Sequence, residues 1–547
     1  MSYHRPAPVS DNWLRRAPQW GHTAIKVSLI LAANDVGSSS SSSSSSNMQL
    51  FKNLAWIAAS AALALPASAE TIRTKVAILG GGVAGISAAR NLTANGIDDF
   101  VIVEARDILG GRAQNAPFAG THVELGCNWV QGLGTNPINE LRKEHGLKTV
   151  ANDGDNVIFR DEDGVVNHTK AYNEYNDAYD SIWDLTEKRL ANNQVDISAR
   201  TAFNLIGYKP QTPLEQAVEY YLFDWEMAEN PEVSSTIYTI YNDNFTYGDT
   251  VFGPDSDSDR FALDPRGFKH IFLEEAKKFL KEDDDRVLYN TLVTKIEYDK
   301  NGVAIQTNTS DVILADYAIT TFSVGVLKSD AIEWSPPLPD WKLEGIYGFD
   351  MATYTKIFLN FPYQFWDDNQ YAVWVDPDRR GYFNTWQNLN APGFLPKNTS
   401  TNIFFATVTQ DLAFQVEAME DEEVKDLAMD VLRKMYGDDI PEANEILFPR
   451  WHSNPLFRGT YSNWPIGETG EHHVNMKAPL HNRVHFAGEA MSVEFYGFLQ
   501  GAWVTGEDTA QIVASCIKNE KCEKAEYFPQ ITNARIEPHY ILKKRSL

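Results

Sequence analysis

Apolar and polar positions along the chain predict short strands that alternate with helices. In KVAILGGGVAGISAARNLTANGIDDFVIVEA, residues 76–79 form an apolar run, residues 85–95 have helical spacing, and residues 100–103 form a second apolar run. This order is typical of a βαβ unit, in which a crossover helix joins two parallel strands. We therefore predict that a parallel sheet begins here.

The same alternation continues to the C-terminus. Residues 141–247 have a mostly helical, acidic and aromatic pattern, whereas residues 286–321 and 351–375 are rich in strand-like runs. EDEEVKDLAMDVLRKMYG predicts an amphipathic helix that stops at its glycine, NRVHFAGEA a strand entering a turn, and FLQGAWVTGEDTAQIVASCI a helix. This order indicates that α/β and α+β parts are interleaved, so the fold class is α/β plus α+β.

One lysine interrupts a strand-like run, MATYTKIFLNF. With a period of two, Tyr354, Lys356, Phe358 and Asn360 share one face of this strand. Lysine is mostly exposed in folded proteins and is almost never fully buried without a partner. By periodicity alone, Lys356 is predicted to be a solvated residue of a half-exposed strand.

The N-terminus has the composition of a targeting segment. Residues 38–46 are an unbroken serine run, which cannot build a core. Met48, a basic residue, an apolar run over 54–65 and the small triplet at 67–69 follow in the order of a secretory signal peptide. We expect translation to start at Met48 and the protein to be secreted. Five glycosylation sequons fit secretion: Asn91, Asn167, Asn244, Asn308 and Asn398.

Composition excludes some functions. The formal net charge of -26 argues against nucleic acid as a partner, because phosphate binding needs clustered basic residues. It is compatible with a cationic ligand or simply with solubility. We find no apolar run of transmembrane length after the signal, so no stable membrane insertion is expected. Cys516 and Cys522 are close enough to bridge, which leaves Cys127 as a free thiol.

A glycine-rich turn follows the first predicted strand. Gly80, Gly82 and Gly85 make a G-x-G-x-x-G pattern, and Glu104 ends the next strand. Such glycines let the backbone turn tightly and approach a pyrophosphate at a helix N-terminus, and the acid can bind ribose hydroxyls. Arg112, in EARDILGGR, can pair with a phosphate. The motif predicts a dinucleotide site but does not choose between NAD and FAD.

Longer motifs make that choice. EARDILGGR, VELGCNWVQG, YYLFDWEMAENP, FDMATYTKIFLNFP, PRWHSNPLFRGTYSNWPIG and VHFAGEA with YGFLQGAW occur in the order of the flavin-containing amine oxidases. The chain resembles this family along nearly all its mature length, most closely the secreted polyamine oxidases of the maize type. The resemblance implies FAD-dependent oxidation of spermine, spermidine or acetyl derivatives, by hydride transfer to flavin N5. The imine is then hydrolysed to an aldehyde and an amine, and O2 is reduced to H2O2.

The resemblance also assigns site residues. Lys356 matches the lysine that holds a water at flavin N5, Tyr354 shares its face, and Glu226 matches a carboxylate at the mouth of the substrate tunnel. Tyr461 matches an aromatic residue beside the flavin, where substrate binds. The remaining matches are contacts to the cofactor: Trp129, Val293, Trp451, Gly488 and Glu489. In isolation each also fits an ordinary core or surface residue.

Two positions depart from the maize-type pattern. Gln131 stands where the family has a glutamate, so an acceptor remains but a charge is lost. Phe498 replaces an aromatic hydroxyl and keeps only the ring. Glu494 is near in sequence and is a candidate to restore the missing charge. The C-terminal segment MSVEFYGFLQG lacks the cysteine that holds FAD in monoamine oxidases, so we expect non-covalent FAD.

The domain organisation follows from the same resemblance. Residues 1–69 are the low-complexity extension and signal peptide, and residues 526–547 a C-terminal tail. A Rossmann-like FAD-binding domain takes residues 70–145, 260–350 and 451–525, and a substrate-binding domain takes residues 146–259 and 351–450. We expect a monomer whose partners are a small polyamine and O2. The open alternatives are an oxidase of another amine or amino acid, and a flavin-binding protein with little turnover.

Overall fold

The computed structural model describes residues 71–240, 251–253, 255–256, 258–396 and 401–531. The predicted serine run and signal peptide lie outside these residues. The strands, numbered β1 to β22 in chain order, are Thr71–Leu79, Phe100–Val103, Asn115–Phe118, Thr121–Glu124, Trp129–Gln131, Thr149–Asn152, Val157–Asp161, Gly164–Val166, Asp259–Ala262, Val287–Leu288, Val293–Tyr298, Val303–Thr307, Val312–Thr320, Glu333–Ser335, Asp350–Ala352, Tyr354–Phe361, Tyr371–Trp374, Thr385–Asn388, Asn402–Thr409, Glu445–Leu447, Tyr461–Asn463 and Val484–Phe486.

Helices separate these strands. The α-helices, numbered α1 to α13, are Val83–Ala94, Pro137–Glu144, Thr169–Ala191, Ala199–Ile206, Pro213–Glu219, Trp225–Met227, Lys269–Lys277, Val324–Leu327, Asp340–Tyr347, Gln410–Glu417, Asp421–Tyr436, Gly470–Lys477 and Leu499–Lys518. In the described part of the chain, π-helices span Tyr220–Asp224 and Thr236–Ile240, and a 3-10 turn spans Glu489–Met491. Among the helices that the structure describes, none combines the length and apolarity needed to cross a lipid bilayer.

The first large sheet contains the predicted βαβ unit. Its order is β10-β2-β1-β13-β12-β11-β14, and β22 pairs with β13. Strand β1 is parallel to β2 and β13, whereas β12 is antiparallel to both of its neighbours. The predicted strand 76–79 is the buried half of β1, and helix α1 begins two residues before the predicted start. The carboxyl ends of β1 and β2 therefore lie side by side, where a dinucleotide binds in such sheets.

A second large sheet holds the lysine-containing strand. Its order is β20-β16-β19-β18-β17-β7-β8, and a small sheet of order β5-β9-β6 accompanies it. The first sheet takes its strands from residues 71–103, 287–335 and 484–486, and the second takes them from residues 157–166 and 354–447. The domain boundaries themselves stay a prediction. Cys516 and Cys522 form a disulfide, and Cys127 is free.

One prediction about local structure is incomplete and another is wrong. Residues 141–247 were expected to be mostly helical, and helices do predominate over the described residues 141–240. The pattern missed β6, β7 and β8, which lie between the second and third helices, and β7 pairs with the distant strand β17. Strand β16, which carries Lys356, is buried along its whole length and has no solvated face. Ile357 packs in the same apolar cluster as buried residues of α11, and Phe358 packs against Phe405 on the other side. The two faces of β16 therefore pack against two different buried environments.

Candidate active site

The predicted site residues converge on one cavity of about 410 Å³. Every one of them except Gly85 lines it. From the glycine turn to the C-terminal helix these lining residues are Gly80, Gly82, Glu104, Arg112, Trp129, Gln131, Glu226, Val293, Tyr354, Lys356, Trp451, Tyr461, Gly488, Glu489 and Phe498. They come from widely separated stretches of the chain, so only the fold brings them together.

The glycine turn forms one end of the cavity. Gly80 has a φ of 112°, which favours glycine, and its N–H donates to Val103 O at 2.9 Å. Gly82 precedes helix α1, and its backbone approaches Gly111 closely. Gly85 has a different role from the one predicted, because a Cβ there would lie 2.0 Å from Gly80 O. Gly85 therefore allows the helix to pack on the turn and does not itself face the cavity.

Glu104 is buried at the end of β2 and is already oriented by protein donors. The N–H of Gly81 donates to Oε2 at 2.9 Å, and the N–H of Arg106 donates to Oε1 at 3.0 Å. Arg106 lines the same part of the cavity, and its Nη2 is buried with no hydrogen-bond partner among the described residues. Our sequence reasoning missed Arg106, although its position two residues after the acid was a usable signal. A buried guanidinium N–H calls for an acceptor such as a phosphate or ribose oxygen.

The half-buried Arg112 and the buried Glu489 make an ion pair across the cavity wall. Arg112 Nη1 donates to Glu489 Oε1 at 3.0 Å and to Thr460 O at 2.7 Å. Glu489 also accepts from Ser462 Oγ at 2.5 Å and from the N–H of Gly497 at 2.7 Å. Glu489 is thus held by several donors, and its carboxylate fixes the orientation of Arg112.

Lys356 lies in the cavity wall and is 3% exposed. Its Nζ donates to Glu124 O at 3.1 Å, Gly126 O at 2.5 Å and Asn128 Oδ1 at 2.7 Å. The prediction of a solvated lysine from periodicity is therefore wrong, and the inward position implied by the resemblance is observed. Burial lowers the pKa of Lys356, and the nearby Glu124 opposes this effect. Asn128, missed by the sequence reasoning, holds the ammonium with its side-chain oxygen.

Two further titratable groups lie beside Lys356. Burial raises the pKa of Glu124, whose Oε1 accepts from the N–H of Phe268 at 2.7 Å. Burial also raises the pKa of Cys127 to about 12, so this cavity-lining thiol is neutral near pH 7. Burial thus shifts the pKa of Lys356, Glu124 and Cys127 toward the neutral form of each group.

Aromatic rings enclose the part of the cavity beyond the lysine. Trp129 and Trp225 meet edge to face with ring centroids 5.8 Å apart, and Tyr354 lies 6.4 Å from Trp225 and 6.2 Å from Tyr461. Lys356 Nζ lies 5.6 Å from the centre of the Trp129 ring. Aromatic faces attract alkylammonium groups and exclude water. This part of the cavity therefore suits the carbon chain and charge of an amine.

Glu226 is carried by an unusual helical segment. The π-helix 220–224 directly precedes it, and Asp224 is buried against Arg380, which donates at 2.8 Å and 2.5 Å. π-helical turns frequently mark functional sites, because one extra residue redirects the side chains that follow. Gln131 Nε2 donates to Glu226 Oε1 at 3.3 Å, and Tyr461 Oη donates to Glu226 O at 3.0 Å. Glu226 therefore places a carboxylate in the wall of the aromatic section.

The remaining predicted residues also have defined places. Phe498 precedes helix α13 and presents its ring to the cavity. Trp451 donates its Nε1–H to Leu125 O at 3.2 Å, and Val293 begins β11. Glu494 is not among the residues that line the cavity, so the suggestion that it restores the charge lost at Gln131 finds no support.

Comparisons with known proteins agree with this arrangement. The sequence profile of the flavin containing amine oxidoreductases matches residues 83–514. Polyamine oxidase 1 of Zea mays is 35% identical over 483 residues, which cover 83% of this chain and 93% of that protein. Polyamine oxidase 6 of Oryza sativa subsp. japonica is 34% identical over 495 residues, covering 85% and 96%. The chain therefore belongs to the flavin containing amine oxidoreductases.

The solved structures show the same fold. A putrescine oxidase determined with bound putrescine superposes with a TM-score of 0.65 at 18% identity, covering 81% of this chain and 99% of the other. The predicted fold class and family are confirmed. The protein is an FAD-dependent oxidoreductase, and the predicted cofactor is confirmed at the level of the family.

The described residues fit FAD. The glycine turn and the Gly110–Gly111 turn bring two backbones together at Gly82 and Gly111, where a Cβ on Gly111 would lie 3.0 Å from Gly82 Cα. The unpaired N–H of Arg106 and the carboxylate of Glu104 face the end where a pyrophosphate and a ribose would lie. Cys127 is the one cysteine among the residues lining the cavity, and its neutral thiol agrees with non-covalent binding.

Proposed function

We propose that the protein is a polyamine oxidase that uses FAD and O2 and acts on spermine, spermidine or their acetyl derivatives. A single observation carries the proposal. One cavity contains the glycine turn for a dinucleotide, a buried lysine and an aromatic section with a carboxylate. The polyamine oxidases of maize and rice, whose names state their activity, are similar over most of both chains.

The residues divide the work of amine oxidation. FAD, which Gly80, Gly82, Glu104 and Arg106 would hold, would supply the hydride acceptor, and its reoxidation by O2 would give H2O2. Tyr354, Tyr461 and Phe498 orient the carbon chain and exclude water, while Glu226 attracts an ammonium group. Lys356, with its lowered pKa, holds or moves a proton beside the reacting carbon. The aldehyde and amine then form by hydrolysis of the imine.

The charge distribution in the cavity disfavours an amino acid as substrate. An amino-acid oxidase needs an arginine to clamp the substrate carboxylate. The arginines that line the cavity are Arg106, beside Glu104, and Arg112, paired with Glu489. Both belong to the dinucleotide end. The aromatic section near Glu226 instead presents a negative charge.

A peroxide assay tests the proposal. Purified holoenzyme is supplied with spermidine, spermine, N-acetylspermine, a set of monoamines and a set of amino acids, and the products are identified by mass spectrometry. We expect H2O2 with polyamines only. Turnover of amino acids alone would favour the alternative oxidase. A yellow protein whose flavin is not bleached by any amine without oxygen would favour a binding protein.

Replacing Glu226 by Gln tests the substrate contact. We expect the KM for spermidine to rise on the order of tenfold, because a hydrogen bond to a charged partner is worth about 1.5–3 kcal/mol. The kcat should change little, since the carboxylate acts on binding. Steady-state kinetics with spermidine measure both, and Glu422→Gln on the exposed face of α11 is the matched control. A fall in kcat with an unchanged KM would contradict this role.

The pH dependence tests Lys356. Its folded pKa lies below the ordinary value of 10.5, so the amine is charged at low pH and becomes neutral as pH rises through the lowered value. If the neutral amine accepts a proton, the rate of flavin reduction rises with pH, with a midpoint well below 10.5. Anaerobic stopped-flow measurements across pH would show this limb. The substrate amine also titrates, so the rise in rate with pH is assigned to Lys356 only if the Lys356→Met variant does not show it.

The proposed location is outside the cell, and the proposed state is a monomer. Residues 48–69 carry the signal-like pattern. Asn167 and Asn308 are exposed, Asn91 is half-buried on α1, and the sequons at 244 and 398 lie outside the described residues. N-terminal sequencing of the native product tests the start site, and a product that retains residues 1–47 would contradict it. Sedimentation of the purified protein would test the monomer.

A further inference from the structure

A carboxylate, Asp259, lies on the strand that pairs with the strand of Gln131. In the sheet β5-β9-β6, Asp259 lies directly opposite Gln131 on one side and Asn152 on the other. Residues that pair in this way project to the same face of a sheet. All three line the cavity, whereas Val130 of the alternate register is buried elsewhere in the core.

The carboxylate of Asp259 is held in place. Its Oδ1 accepts from the N–H of Gly132 at 2.9 Å, and the side chain is half-buried. A carboxylate has two oxygens and about four acceptor positions, and the Gly132 N–H uses one of them. The Gly132 contact orients the group at the edge of the cavity.

Asp259 and Glu226 act on the same region. Burial and then the charge of Asp259 raise the pKa of Tyr371, and Glu226 adds to the same effect. Tyr371 Oη donates to Asn152 Oδ1 at 2.5 Å, which ties this ring to the strand beside Asp259. Two carboxylates therefore face one part of the cavity, with the neutral amide of Gln131 between them in the wall.

We propose that Asp259 is a specificity-determining residue that binds an ammonium group of the substrate other than the one oxidised. This inference rests on the proposed oxidation of polyamines. It names the substrate class as amines with at least two cationic nitrogens. Asp259, on the facing strand, takes the place of the charge that is absent at Gln131, and Glu494 does not.

The variant Asp259→Asn isolates the charge. The asparagine oxygen still accepts from the N–H of Gly132, so the strand connection is kept. We expect the KM for spermidine to rise on the order of tenfold while kcat is nearly unchanged. The matched control is Asp255→Asn, the same substitution on an exposed residue of the preceding loop that does not line the cavity. It should leave KM unchanged.

A second variant guards against a structural effect. Adding Gln131→Glu to Asp259→Asn moves the charge back to the facing strand, and we expect it to restore most of the lost affinity. Loss of affinity in Asp259→Asn with no recovery in the double variant would overturn the assignment, because the effect would then be structural. An unchanged KM in Asp259→Asn would overturn it directly.

The same samples separate this inference from the proposed function. If the wild-type enzyme oxidises spermidine and Asp259→Asn does so with the same KM, only the role of Asp259 fails. If the wild-type enzyme oxidises no polyamine, the proposed function fails. Spermidine is then titrated against the flavin absorption under anaerobic conditions. A Kd on the order of tenfold weaker in Asp259→Asn supports the site, and an equal Kd or no binding overturns it.

Discussion

Replacing Lys356 by Met is expected to leave FAD bound and to slow flavin reduction or reoxidation on the order of 10²- to 10⁴-fold, the usual contribution of a positioned proton-transfer group. The physical reason is the environment of the amine, which is buried and held by three oxygen acceptors. Methionine has a similar length, so the cavity keeps its shape while the titratable group is lost. Anaerobic stopped-flow mixing with spermidine, followed by mixing with O2, measures the two half-reactions separately.

Lys342 offers a matched control for this experiment. It is fully buried, donates to Ala478 O at 2.8 Å, and does not line the cavity. Lys342→Met therefore removes a buried amine without touching the site, and both half-reactions should keep their rates. If Lys356→Met also keeps both rates, Lys356 is a structural lysine and the proposed proton role is wrong.

Replacing Gly82 by Val is expected to give a folded protein without flavin. A Cβ on Gly82 meets no atom closer than Gly111 Cα at 3.6 Å, and φ is −74°, so the protein itself accommodates a side chain. The added methyl groups occupy space at the helix N-terminus, where the backbone must approach the pyrophosphate. Flavin absorption of the purified protein and a fluorescence titration with FAD measure the loss.

Gly85 provides the contrast. Its Cβ would lie 2.0 Å from Gly80 O, so Gly85→Val disturbs the packing of α1 on the turn. This second variant should lose thermal stability as well as flavin, measured by circular dichroism on heating. A Gly82→Val protein that retains one flavin per chain would contradict the placement of the pyrophosphate at this turn.

The first βαβ unit could be predicted from local sequence because the pattern that specifies it spans few residues. Only the glycine turn and one helix separate the two apolar runs, residues 76–79 and 100–103. The same reasoning missed β6 and β7, whose partner strands lie more than one hundred positions away in the sequence. It also failed for β16, because a period of two cannot distinguish a solvent-facing side from a buried polar wall.

The site residues also divide into those that local motifs predicted and those that only the structure revealed. Motifs predicted Lys356 and Glu226 as site residues. No sequence pattern singled out Asn128 or Asp259. Asn128 gains its role from a hydrogen bond to Lys356 across more than two hundred residues. Asp259 gains its role from the register of β9 against β5.

By itself, the sequence determined the family and the glycine turn, and it predicted the residues that we propose to carry the chemistry, because these depend on residue type and short spacing. Only the tertiary structure decided that Lys356 is desolvated and that a carboxylate stands opposite Gln131. Desolvation and cross-strand pairing depend on atoms from distant segments, and so does the pKa of a buried amine. The lysine that looked solvated in its strand became, through those contacts, the group whose protonation we expect to govern the reaction.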